Sequence, residues 1–124
     1  MEKSAPRISI RVIVEGRGEA RGELIRFLAP RTVERMVDEL PIEGRGTLWK
    51  EEVYFEKPLR IGLEKGVMVV EAGTLAYWPM GNAVCIFFGR TQPYSPVNRV
   101  GMITENLELF KNLKSGTKIR IERA

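Results

Sequence analysis

Residues 77–98 read YWPMGNAVCIFFGRTQPYSPVN, and the fold turns on how this stretch is parsed. Ala83 to Phe88 is an uninterrupted apolar run. It is far short of the roughly 20 apolar residues a membrane-spanning helix needs and has the length of a buried strand. The Pro79-Met80-Gly81 corner separates it from a preceding strand signal, Gly73 to Trp78. The parse is two short strands, Gly73 to Trp78 and Asn82 to Phe88, joined by a tight turn. Gly89 to Pro96 then collects turn formers into a loop. The segment also concentrates chemistry. It holds half of the chain's aromatic residues (Tyr77, Trp78, Phe87, Phe88, Tyr94), the single glutamine, Gln92, and Pro79, Pro93 and Pro96.

The same grammar extends in both directions. Upstream, Ile8, Ile10, Val12 and Val14 alternate with Arg7, Ser9, Arg11 and Ile13, the period of a half-buried strand. Glu15 to Gly18 reads as a turn, and Glu19 to Phe27 as the returning strand, with Gly22 marking a bulge or a close backbone approach. One convincing helix is predicted, Pro30 to Leu40. Proline suits its first turn, Val33, Met36, Val37 and Leu40 form one apolar stripe, and Pro41 stops it. Ile42 to Trp49 carries strand signals broken by Gly44 and Gly46, and Glu52 to Phe55 follows with Val53 and Phe55 on one face. Pro58 to Lys65 reads as a loop and Val67 to Val70 as a short strand. Downstream, Val97 to Ile103 is predicted as a strand. A short helix follows, capped by Thr104, with Leu107, Phe110 and Leu113 inward. Thr117 to Glu122 is the last strand. Many short strands with Gly/Pro turns and one long helix predict an antiparallel barrel or sandwich, with residues 1–124 as a single domain.

Composition removes whole classes of function. The 124 residues include no histidine, one cysteine and one aspartate, with 20 Lys+Arg against 16 Asp+Glu for a net charge of +4. Without histidine there is no Ser–His–Asp or Cys–His catalysis and no imidazole metal ligand. With one cysteine there is no internal disulfide and no Cys zinc cluster. No metal site and no cofactor are expected. Cys85, inside an apolar run, is expected to be a buried, inert thiol. The arginines at 7, 11, 17, 21 and 26 are spread among glutamates and read as solvated strand faces, so neither nucleic acid nor a membrane is an expected partner. Met1 to Arg7 lacks the apolar core of a leader peptide, which predicts a cytoplasmic protein.

Two glycine clusters, Gly16-Arg17-Gly18 and Gly44-Arg45-Gly46, lack the lysine and the strand-to-helix setting of a phosphate loop and read as hairpin turns. Glu51 and Glu52 are adjacent carboxylates, but neighbouring strand residues point to opposite faces, so they make no facing acid–base dyad. Aromatic walls with a few convergent polar groups build small-molecule or peptide clefts. The candidate pocket is therefore Tyr77, Trp78, Phe88, Arg90, Gln92, Tyr94 and Asn98. No residue is assigned a catalytic role.

Gly73-Thr74-Leu75-Ala76, Phe87-Phe88-Gly89-Arg90-Thr91 and Val100-Gly101-Met102-Ile103, followed by Glu105-Asn106-Leu107-Glu108-Leu109, resemble the core of the cyclophilins. Most of the chain is similar to a family of small prokaryotic cyclophilin-like proteins of uncharacterised function. That likeness rests on Tyr77-Trp78-Pro79-x-Gly81-Asn82-Ala83-x-Cys85-Ile86-Phe87-Phe88-Gly89, on Pro93 to Asn98, and on Trp49-x-Glu51-Glu52-Val53-Tyr54-Phe55. The resemblance implies a closed eight-stranded β-barrel with one main helix over an open end and one short helix. It implies that Phe88 matches the phenylalanine flooring the cyclophilin proline pocket and that Tyr94 falls near the loop where those enzymes have a tryptophan. The isomerase motif F-H-R-V-I is missing, Ile86 replaces the glutamine, and the loop histidine cannot exist here. Arg90, Arg99 or Arg60 takes the arginine's role only if the fold brings one over Phe88.

The resulting expectation is a non-catalytic module binding a small molecule or a proline-containing peptide. An atypical prolyl isomerase and a protein-interaction subunit are the alternatives, and homodimer formation is left open.

Overall fold

The alternation that predicts the first strand also decides which way it faces. In the computed structural model, which describes residues 5–124, Ile8, Ile10, Val12 and Val14 are all buried on one face of β1 (Arg7–Val14). The Gly16–Gly18 turn leads into β2 (Gly18–Ile25), which pairs antiparallel with β1 along its whole length. A single 3-10 turn, Arg26–Leu28, enters α1 (Pro30–Glu39), which buries Val33 and Met36. The remaining strands are β3 (Ile42–Arg45), β4 (Thr47–Trp49), β5 (Glu52–Glu56), β6 (Thr74–Trp78), β7 (Ala83–Phe87), β8 (Asn98–Glu105) and β9 (Lys118–Arg123). They form one antiparallel sheet in the order β3-β9-β1-β2-β8-β6-β7-β5-β4.

Nine strands form where eight are expected, and Gly46 is the reason. Residues 42–49 run as one extended stretch whose first half pairs with β9 and whose second half pairs with β5. At Gly46 the backbone still bonds the β9 side, donating to Thr117 O at 2.8 Å and accepting from Gly116 N at 2.8 Å. A Cβ at residue 46 would stand 2.8 Å from Ile119 Cδ1 and 2.9 Å from Val53 Cγ1. Those contacts come from the two strands being bridged, so only glycine lets them approach this closely. Counted as one, β3 and β4 complete a ring of eight. The Gly44-Arg45-Gly46 cluster is thus the closing strand itself and not a hairpin turn.

Three further expectations are corrected. Val67 to Val70 is no strand: it contributes only isolated bridges, Val67 to Val97 and Val70 to Thr91, and Met68 and Val69 are exposed. Its partners are loop residues, which local propensity does not register. The short helix is a 3-10 turn, Leu107–Phe110, preceded by Asn106 in a left-handed conformation. Thr104 does not cap it, since its hydroxyl bonds Arg21 O across the sheet. The bulge expected at Gly22 is present as a register shift between Arg21 and Gly22 against β8. Residues 1–4, part of the segment read as lacking a leader core, lie outside the described residues. No helix among the described residues is long and apolar enough to cross a membrane.

Closure sorts side chains into two layers. The interior core holds Ile10, Val12, Leu24, Phe55, Leu75, Tyr77, Ile86, Ile119 and Ile121, with Val33 and Met36 of α1 and Phe110 of the 3-10 turn packed into the same cluster. Around β1, β9 and β3 the outer face is charged and wet, with Arg11, Arg120, Glu122 and Glu43 in mutual ion pairs. Around β5, β7 and β6 the outer face is apolar. Ala76, Cys85, Phe87, Val70 and Val97 make a second cluster there, against Tyr54, Val67 and Trp78. This explains why β7 is buried at every position: a strand covered on both faces carries no alternation. The cover is the long connections 57–73 and 88–97.

The first of these connections is tied down by Asn98 and Glu64. Asn98 donates through Nδ2 to Thr32 Oγ1 and Gly62 O and accepts from Glu64 N. Glu64 in turn accepts from the backbone N–H groups of Arg31 and Thr32 and from the Thr32 hydroxyl, at 2.8–2.9 Å. Ala29 offers α1 no side-chain cap, so the Glu64 carboxylate serves the helix N-terminus from a distant loop. Burial works to raise the Glu64 carboxyl, but these hydrogen bonds outweigh it and hold it below the usual range.

The tightest approach in the sheet is at Gly101, where a Cβ would lie 1.9 Å from Glu23 O of β2. Gly62, with nothing within 4 Å of a notional Cβ, is the internal control. Gly101→Ala is expected to lower unfolding stability by about 3 kcal/mol or more and Gly62→Ala to leave it within about 0.5 kcal/mol. Urea titration distinguishes them, and equal effects would contradict the packing described.

Candidate functional site

Strand phase places the site. Val53 and Phe55 of β5 point into the barrel, so Glu52 and Tyr54 point outward. By the same alternation β6 sends Leu75 and Tyr77 inward and Ala76 and Trp78 outward, and β7 sends Cys85 and Phe87 outward. Trp49 sits opposite Glu52, and Cys85 opposite Tyr54, in the antiparallel ladders. With Pro93 and Tyr94 from the covering loop, these residues enclose a cleft of about 250 Å³ lined by Trp49, Glu52, Tyr54, Trp78, Cys85, Pro93 and Tyr94.

The rings are set edge-on to one another. Tyr54 and Trp78 have centroids 6.1 Å apart at 83°, and Trp78 and Tyr94 6.4 Å apart at 72°. These are the favoured T-shaped arrangements of aromatic quadrupoles. Trp78 is held from two sides. Its indole N–H donates to the Ser95 hydroxyl, and its ring lies over Gly81, where a Cβ would reach within 2.2 Å of the indole. Tyr94, 75% exposed, stands at the mouth.

Glu52 is the one carboxyl of the lining and is only 4% exposed. Burial pushes it up to about 7, against the opposing pull of the neighbouring Cys85 thiol and the Lys50 ammonium. No ion pair among the described residues includes it. The Cys85 thiol is pushed well above its ordinary value by burial and by Glu52, so it stays protonated and is no nucleophile. No three His, Cys, Asp or Glu side chains among the described residues gather to hold a metal ion.

The candidate residues read from the sequence divide. Trp78 and Tyr94 line the cleft. Tyr77 faces the barrel interior, donating its hydroxyl to Lys57 O and accepting from Leu59 N. Asn98 is fully buried in the α1–loop network. Phe88 packs against the interior cluster. Arg90 pairs with Glu71 at the surface, and Gln92 is exposed outside the lining. Trp49, Glu52, Tyr54, Cys85 and Pro93 line the cleft without having been among the candidates. For Glu52 a signal existed: the phase that puts Val53 and Phe55 inside puts Glu52 beside Tyr54 on the other face.

The cyclophilin-like family model matches residues 8–122. The solution structure of the hypothetical protein AF2241 from Archaeoglobus fulgidus superposes with a TM-score of 0.81 at 32% identity, covering 100% of both chains. A structure of McbB in complex with tryptophan superposes with a TM-score of 0.76 at 14% identity. This chain matches it over 92% of its own length and 44% of that protein's. At that identity the likeness is one of fold. No curated protein matches the chain.

An acid whose folded pKa exceeds its unfolded value holds its proton more tightly when folded. Stability therefore falls as pH rises from 4.5 to about 7 and is level beyond. Glu52→Gln removes this decline. Its thermal stability is expected to equal the parent's near about pH 4 and to exceed it at about pH 8, by at most about 3 kcal/mol. A variant less stable than the parent at the higher pH would mean that Glu52 is held ionised by a partner.

Proposed function

The chain belongs to the cyclophilin-like family, and we propose that it is a non-catalytic binding module whose cleft takes a small molecule with a flat apolar body. The observation that carries this reading is the make-up of the cleft. Four aromatic rings surround an open space of about 250 Å³ on the outer face of β5, β7 and β6. Such a face is normally left to solvent or filled by side chains. Here the covering loops bring Pro93 and Tyr94 over it, and the space between persists.

Size narrows the occupant. Pockets for drug-sized ligands run from about 300 to 1,000 Å³. This one falls just below, which suits a molecule of amino-acid dimensions or one or two side chains of a peptide, a proline-containing peptide among them. The Trp78 ring, set edge-to-face against Tyr54 and held by Gly81 and Ser95, needs little ordering on binding, which favours affinity at small size.

Prolyl isomerisation finds less support here. The larger part of that catalysis comes from a donor aimed at the prolyl nitrogen. None of the lining residues is an arginine. Arg90 is paired with Glu71, and Arg60 and Arg99 are exposed. In a protease-coupled assay on a proline peptide the expected rate is the uncatalysed one, and acceleration that scales with protein concentration would overturn the non-catalytic reading.

Both tryptophans of the chain line the cleft, so intrinsic fluorescence reports directly on it. Small aromatic metabolites and short proline peptides, titrated in turn, are expected to shift that emission for at least one class. Trp78→Ala is expected to weaken the response by about tenfold or more, as for a central aromatic anchor. A flat response across both sets would contradict the binding reading.

A further inference from the structure

We infer that the cleft selects an organic ammonium, a protonated amine on a small apolar or aromatic body, with its nitrogen at Glu52 and its body between the rings of Trp49, Tyr54, Trp78 and Tyr94. This rests on the binding reading above and adds to it the charge of the occupant.

The geometry favours a cation over the alternatives. Aromatic faces carry negative potential, and a cation within about 6 Å of a ring centroid is attracted to it, most strongly over tryptophan. Two of the four rings here are tryptophan. The chain already satisfies one ring in this way: Lys50 Nζ lies 4.5 Å from the Trp49 centroid. Glu52 adds a carboxyl without an ion-pair partner among the described residues, buried at 4% exposure in the same lining. An ammonium would find both a charge partner and ring faces. An anion would meet the ionised Glu52 and the ring faces with the wrong sign, with Lys50 over the Trp49 ring as its one attraction, and a neutral molecule would gain apolar contact and a neutral hydrogen bond but no charge partner.

Proton linkage follows from what faces Glu52. Beside it on β5 is the Tyr54 phenol. From β7 comes the Cys85 thiol, from the turn between β4 and β5 the Lys50 ammonium, and from the covering loop the Tyr94 phenol. β6 presents the neutral Trp78. The thiol is held protonated by burial. Glu52 is therefore the group that changes charge between mildly acid and neutral pH. An incoming ammonium favours its ionised form, so amine affinity rises with pH through this range and then levels. Below about pH 7 binding releases a proton.

The test uses the full chain and three probes of one shape and different charge: phenethylamine, 2-phenylethanol and 3-phenylpropionate. Each is titrated against intrinsic fluorescence at about pH 5 and about pH 8, with the parent and with Glu52→Gln. The amine is expected to bind about tenfold or more tighter than the alcohol at the higher pH, as a charge-assisted hydrogen bond provides. It should lose most of that advantage at the lower pH and in the Gln variant, while the alcohol changes little. Equal affinities for amine and alcohol in parent and variant would overturn the ammonium inference and leave the binding cleft standing. Tightest binding of the carboxylate would overturn it as well. Silence from all three probes at both pH values would overturn the inference together with the binding reading.

Discussion

One extended segment shared between two strands closes this barrel. Residues 42–49 pair with β9 over their first half and with β5 over their second, and Gly46 stands at the exchange with Ile119 and Val53 filling the space a Cβ would need. A larger residue there would push apart the strands that the segment joins. Closure then fixes an inside and an outside for every strand. The period-2 alternation of each strand translates directly into an interior cluster and an exterior face. The cleft depends on that phase, because the same β5 that seals the core with Val53 and Phe55 sends Glu52 and Tyr54 outward.

The two outer faces have opposite character. Around β1, β9 and β3 the arginines and glutamates form exposed ion pairs, each worth little to stability. Around β5, β7 and β6 long connections lie over apolar residues. One of these connections is anchored by Asn98 and Glu64 to the start of α1, so the helix at one part of the barrel helps to position the cover at another. Beneath the cover a carboxyl is kept with aromatic neighbours and a protonated thiol. Burying a charge in such surroundings is unfavourable, and the protein meets this by holding Glu52 near its neutral form. Groups shifted in this way by desolvation are frequent at sites of function. Here the shift coincides with an open cleft, a geometric fact independent of it.

Much of the fold was legible in the sequence. The apolar alternation of β1, the stripe and proline boundaries of α1 and the bulge at Gly22 all match the structure. The unbroken apolar run of β7 is legible as a strand with a buried Cys85; that it is covered on both faces is visible only in the structure. Less legible was whatever depends on distant partners. Val67 to Val70 resembles a strand, yet meets only loop residues at two isolated bridges. Thr104 has the chemistry of a cap but finds Arg21 O first. The site was half readable for the same reason. Trp78 and Tyr94 converge on the cleft, whereas Tyr77 differs from Trp78 by one position and so faces the core. Asn98 follows the aromatic loop at the start of a strand, but its side chain is taken up by backbone groups far away in the chain. Glu52 is readable from the phase of its neighbours: Val53 and Phe55 inside put it beside Tyr54 outside, as a single carboxyl and not half of a pair with Glu51.

Glu52 lies without an ion-pair partner among the described residues, in a water-poor aromatic cleft. Carbon-detected NMR titration of the Glu52 side-chain carboxyl in the ligand-free protein tests it most directly, with Glu52→Gln assigning the resonance. A midpoint near about 7 is expected. A midpoint in the ordinary glutamate range, near 4.5, would contradict it, because it would place the carboxyl either in open solvent or in direct contact with a cation such as the nearby Lys50, with which it makes no ion pair among the described residues.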